Sequence, residues 1–63
     1  MDKLRKYLKE NNLTILAFSR LIGVSVSTIA RWLAGSSIPH SYMKKHVAII
    51  THNYIEEEDW KIN

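Results

Sequence analysis

Three kinds of side chain in this 63-residue sequence could do chemistry, and their spacing separates them. His40, His46 and His52 recur every six residues, whereas two ligands on one helical face need a spacing of three or four. There is no cysteine to complete a metal set, so neither a metal nor a cofactor is expected. The acids Glu56, Glu57, Glu58 and Asp59 form one run without a partner acid at a defined distance. The serines lack the glycine-framed turn that activates a nucleophile, so no enzyme and no small-molecule substrate is expected. What remains is a set of cations and short hydroxyls, including Thr14, Ser25, Ser27, Thr28, Arg31, Ser36, Ser37 and Lys44. Those groups suit hydrogen bonding to phosphate oxygens and base edges.

The charges are unevenly placed. Residues 1–46 carry Lys3, Arg5, Lys6, Lys9, Arg20, Arg31, Lys44 and Lys45 against Asp2 and Glu10, a net +6, and residues 47–63 carry a net −3. A basic body with an acidic tail suits a polyanionic partner. The longest apolar run, Val47 to Ile50, is far shorter than the roughly 18 residues of a membrane span. Met1 to Arg5 has no signal-peptide core, so a cytoplasmic location without membrane contact is expected. With 46% hydrophobic residues, two glycines and one proline, the chain reads as globular and all-α. Its length implies one domain, residues 1–63, held by packing alone.

The elements that must position these groups follow from apolar periodicity. Leu4, Tyr7 and Leu8 stripe a first helix from Asp2 to Asn11. Thr14 can N-cap a second, striped by Ile15, Phe18 and Ile22 and stopped by Gly23. Ser25 follows at once as the cap of a third, Val26 to Leu33, without the Glu or Gln of a capping box. Pro39 can open a fourth helix to about Ile50, with Met43, Val47 and Ile50 inward and Lys44 and Lys45 outward. Asn53 is a candidate left-handed residue, and a short helical turn is expected across the acids before Trp60. Two helices joined by so tight a turn form a helix-turn-helix, whose second helix can enter the major groove. That helix turns Ile29, Trp32 and Leu33 inward and leaves Ser27, Ala30, Arg31 and Ala34 outside.

These residues carry a resemblance. Leu13-Thr14, the turn Arg20-Leu21-Ile22-Gly23-Val24-Ser25, and Ser27-Thr28-Ile29-Ala30-Arg31-Trp32-Leu33-Ala34-Gly35 resemble the Cro and repressor type of helix-turn-helix regulator of phages and prophages, including small YdaS-like members. Pro39 and the ending from Thr51 to Trp60 are similar too. The resemblance implies a compact bundle of four to five short helices, the lambda-repressor-like fold. It makes Val26, Ser27 and Arg31 base-facing, Ser25 and Thr28 phosphate contacts, and Thr14 with Ile15 a backbone anchor. Physically, Arg31 can bond guanine O6 and N7, and Val26 can pack on a thymine methyl. Ser36, Ser37 and Lys44 can hold phosphates beside the groove. The chain departs from the pattern at Ile15, often glutamine, at Leu8 and Leu33, in some relatives an Arg and Glu pair, and at Ala34, often asparagine. An apolar pair can replace a buried ion pair without loss of stability.

The expected function is a sequence-specific, double-stranded-DNA-binding transcriptional regulator, a Cro-like repressor that occludes a promoter. So small a unit makes few base contacts, so a homodimer on a palindromic operator is expected, with half-sites about 34 Å apart. The sequence marks only the region of Tyr54, Ile55, Trp60 and Ile62 for a dimer contact. Trp32 and Trp60 read as core, not as stacking platforms for bases. The alternative is a protein-interaction module on the same fold, an antitoxin or adaptor, docking through Ile15, Leu16 and Leu21. A third reading is a nonspecific nucleoid or RNA binder, in which Arg31 reads no base.

Overall fold

A computed structural model describes residues 1–61. Four helices, α1 (Asp2–Glu10), α2 (Ile15–Ile22), α3 (Val26–Ala34) and α4 (Ser41–Ile50), precede a 3-10 turn at Glu57–Asp59, and the described residues contain no strand. The all-α bundle read from the periodicity is the observed fold. Its boundaries lie within a residue of the expected ones except at α4.

Each helix ends where local chemistry stops it. The Asn11 side-chain amide donates to the Tyr7 carbonyl at 2.9 Å, closing α1, and Asn12 takes a left-handed φ of 52° that turns the chain toward α2. Thr14 Oγ1 accepts the Ala17 amide at 3.0 Å. At the other end of α2, the amides of Gly23 and Val24 both donate to the Ser19 carbonyl. Gly23 has φ 89°, and a Cβ there would meet nothing within 4 Å, so backbone conformation alone asks for glycine. Ser25 Oγ accepts the Thr28 amide at 3.2 Å, and Gly35, φ 76°, closes α3.

The start of α4 differs from expectation. Pro39 is buried and lies outside the helix, His40 is the N-cap with ψ 163°, and Ser41 is the first helical residue. Proline disfavours helical backbone in the residue before it but does not force helix after it, so the extended entry runs two residues further, through His40. At the far end, His52 and Asn53 both have positive φ, and the Asn53 amide reaches the Ala48 carbonyl at 2.7 Å. The buried Thr51 hydroxyl donates to the Val47 carbonyl at 2.8 Å and accepts the Ile55 amide at 3.2 Å. One side chain thus links the end of α4 to the segment that follows.

All four helices and that segment share one core: Leu4, Leu8, Phe18, Ile22, Ile29, Trp32, Val47, Ile55 and Trp60. Trp60 meets Trp32 edge to face at 5.3 Å, and Tyr7 lies between Phe18 and Tyr54. Burial of Trp60 agrees with its reading as core, and burial of Ile55 and Trp60 together overturns the expectation that they mark a dimer contact, because the chain's own core has taken them. Ile62 lies outside the described residues.

The acidic segment is not simply a solvated cap. Asp59 accepts from Lys3 Nζ at 2.8 Å and from the Glu56 amide at 2.7 Å, and Glu56 and Asp59 cap each other's backbone reciprocally. The Lys3 hydrogen bond, helped by the Glu56 amide, lowers the Asp59 carboxyl below its ordinary range, and the same bond raises the Lys3 ammonium.

Candidate nucleic-acid interface

The axes of α2 and α3 meet at 108° across Gly23, Val24 and Ser25. Phe18 and Ile22 of α2 and Ile29 and Trp32 of α3 fix that angle by packing into the shared core. The opposite side of α3 is thereby turned outward: Val26, Ser27, Ala30, Arg31 and Ala34 are all exposed. Four of the five are short, which lets backbone approach a groove closely, and the fifth is a long cation.

The expected base-facing residues Val26, Ser27 and Arg31 therefore lie together on one exposed face. Ser25 and Thr28 adjoin it as a connected pair, with their hydroxyls 3.0 Å apart, and Arg31 Nη2 reaches Thr28 Oγ1 at 3.5 Å. Thr14 is exposed at the start of α2. Its hydroxyl and that of Ser25 already accept a cap bond, and each can still donate outward. Beyond α3, Ser36 is exposed and its hydroxyl donates to the Arg31 carbonyl at 3.2 Å, whereas Ser37 is half-buried. Lys44 departs from its expected outer-face position, being half-buried while Lys45 beside it is exposed.

Charge is distributed differently from its sequence total. Lys3 is taken by Asp59, and Arg5 by Asp2 at 3.2 Å. Lys6, Lys9, Arg20, Arg31, Lys44 and Lys45 have no ion pair among the described residues. An unpaired Arg31 keeps its fork of donors available for an acceptor outside the chain.

Ala34 stands at the end of the exposed face, where it offers no side-chain donor. Leu8 is buried, and Leu33 packs against the core, so an apolar arrangement holds the positions where some relatives pair charges. Ile15 also packs against the core, while Leu16 and Leu21 remain 49% and 53% exposed. That splits the apolar trio of α2 into one core residue and two surface residues.

Periodicity did not single out His40. It lines a cavity of about 290 Å³ with Thr28, Arg31 and Ser37, over Val24, Trp32, Ile38, Pro39 and Met43. Its spacing in the sequence bears only on metal binding, and its place on the same cavity as Arg31 depends on how the segment between α3 and α4 folds back. Among the described residues no three His, Cys, Asp or Glu side chains are grouped to hold a metal. No single helix among them is long and apolar enough to cross a membrane.

A family model described as helix-turn-helix matches residues 4–41, which takes in α1, α2, α3 and the entry to α4. Neither a curated protein nor a solved structure matches the chain. The family match spans more than half of the sequence and coincides with the two helices set at 108°. The chain belongs to the helix-turn-helix family of the Cro and C1 type, a family of DNA-binding regulators.

Proposed function

We propose that this chain is a sequence-specific transcriptional repressor of the Cro-like, phage or prophage kind. It acts as a single domain over residues 1–63 that lays α3 in the major groove of an operator and occludes a promoter. The observation that carries this reading is the outer face of α3, small and polar, with one long cation that no acid among the described residues neutralises. Arg31 bonds a guanine edge, Ser27 contacts a base beside it, and Val26, exposed at the first turn, packs on a thymine methyl. Thr14, Ser25, Thr28, Ser36, Ser37 and Lys44 bond phosphates and fix register. Affinity comes mostly from neutralised phosphates and falls steeply with salt. Because five exposed positions on one short helix read few base pairs, two copies act on a palindromic operator with half-sites about 34 Å apart.

Selection of bound duplexes from a random pool, at near-physiological salt with nonspecific competitor, tests the reading. Enrichment of a two-fold symmetric motif is expected, and its half-site spacing gives the dimer geometry. A folded protein that enriches nothing overturns sequence-specific binding.

Leu16 and Leu21 favour a second reading, a protein-interaction module in which α2 docks on a partner. Salt separates the two, since an apolar contact responds weakly where phosphate neutralisation responds strongly.

A further inference from the structure

The cavity between α3 and the segment from Ser37 to Met43 brings His40, which the helix-turn-helix reading leaves unused, to the same wall as Thr28, Arg31 and Ser37. Thr28 and Arg31 come to it from α3, Ser37 and His40 from the segment that follows, and no carboxylate among the described residues lines it. Thr28, Ser37 and His40 can donate hydrogen bonds into it, His40 most strongly when protonated, and the Arg31 charge lies at its wall while its fork reads a base, so the lining selects an anion. Trp32, Ile38 and Pro39 contribute apolar surface beside these donors, and a charge contact made against such a wall is less weakened by water.

His40 is placed to take part. It is exposed, and its side chain makes no capping bond to α4. Its ring lies parallel to that of Tyr42, 6.2 Å away with 7° between the planes. Arg31 is the charged group that lines the same space from α3, and Tyr42 is the titratable one from α4. Lys44 follows one turn later on α4 itself. A proton on His40 would therefore set a second positive charge beside Arg31, with no acid in the lining to absorb it.

We propose that this cavity seats one backbone phosphate of bound duplex DNA, with His40 as its proton-dependent ligand, so that DNA affinity rises as pH falls through the range in which histidine gains charge. The inference rests on the DNA-binding reading and adds regulation to it. His46, half-buried within α4, and His52, beyond its end, do not line the cavity and serve as internal controls.

The test is fluorescence anisotropy of the intact chain on a labelled mixed-sequence duplex at low salt, between pH 7.5 and 5.5. Wild type is expected to bind about three- to tenfold more tightly at the lower pH, tenfold being the effect of a one-unit proton linkage. His40→Gln should flatten that dependence while keeping its helical circular dichroism and its binding at pH 7.5. His46→Gln and His52→Gln should retain the dependence. In proton NMR, the His40 ring signals should shift when duplex is added and shift less with inorganic phosphate. An unchanged pH dependence in His40→Gln, or its loss only in a control variant, overturns the inference and leaves the DNA reading intact. Inorganic phosphate acting as strongly as duplex reassigns the cavity to a free anion. A folded wild type that binds no duplex at either pH defeats the DNA-binding reading itself.

Discussion

The helix-turn-helix from Thr14 to Gly35 and the closing segment from Thr51 to Trp60 are held by opposite means. The first is made of local bonds: the caps of Thr14 and Ser25 each span three residues, and Gly23 and Gly35 end the helices in left-handed conformations. The second is made of long-range ones. Ile55 and Trp60 are buried in a core supplied by all four helices, and Asp59 reaches back 56 residues to Lys3. The family match ends at residue 41, so the closing segment lies wholly outside it. The shared part of the chain thus presents the exposed chemistry, and a part beyond the match completes the core beneath it.

If that division is right, the two regions should fail differently. The largest effect is expected in the closing segment. Ile55→Ala or Trp60→Ala should lower folding stability by about 2–5 kcal/mol, a large part of what so small a domain has. Urea unfolding followed by circular dichroism measures this. Trp60→Phe sharpens the comparison, because it keeps a ring against Trp32 and removes the indole Nε1–H, which is buried without a hydrogen-bond partner among the described residues. Losing an unsatisfied donor offsets part of the lost area, so the cost should fall well below that of alanine. Equal losses for the two variants would mean that the indole's full shape is what the core needs.

Arg31→Ala should show the reverse pattern. The side chain is exposed and, among the described residues, bonds only to Thr28, so stability should change by no more than about 0.5 kcal/mol. Affinity for the selected operator should fall by about 1–3 kcal/mol, with relaxed preference at one base position. A uniform loss across all sequences would instead make Arg31 a phosphate ligand.

Ser25→Ala joins the two behaviours in one residue. Removing the hydroxyl takes away the cap on the Thr28 amide and should cost about 1 kcal/mol of stability. The same change frees Thr28 Oγ1 from its 3.0 Å partner, so DNA affinity should fall beyond the unfolded fraction. Ser25→Asp separates these effects, because the carboxylate restores the cap but repels phosphate.

The same division explains how much could be read before any coordinates. Caps and stop signals are local, so Thr14, Gly23, Ser25 and Asn53 announce themselves, and the stripes of α1 to α3 locate the core they build. The exposed face of α3 follows from those stripes. Where tertiary contacts decide, the sequence pattern runs out. Trp60 reads as core from its type, but Ile55 looks like a surface apolar residue in a short polar tail, and only a core open at that end makes it interior. Lys3 counts as one more cation until Asp59 is brought beside it. Pro39 suits the first turn of a helix as well as an extended entry, and its burial settles the choice in favour of entry. His40 gains a role only because that entry lays it beside Arg31.

The smallest expected effect tests the tether between the two ends of the chain. Asp59 is lowered by its bond to Lys3 and by the Glu56 amide, so the folded state holds the carboxylate in its charged form more strongly than the unfolded chain does. Its contribution is present above the unfolded carboxyl range near 3.8 and is lost as pH falls through the lower, folded value. Lys3 is raised, so its contribution is present below 10.5 and fades as pH rises through a folded value above that. Asp59→Asn should therefore be less stable than wild type at neutral pH, and the difference should shrink from about pH 4 downward. The pair is partly exposed, so added salt should reduce the difference as well. Thermal unfolding of both proteins from pH 7 to pH 2, at low and high salt, measures it. A gap that persists below pH 2 would mean that the charge of Asp59 is not what the closing segment needs, because the Asn oxygen can accept the Glu56 amide as the protonated carboxyl does.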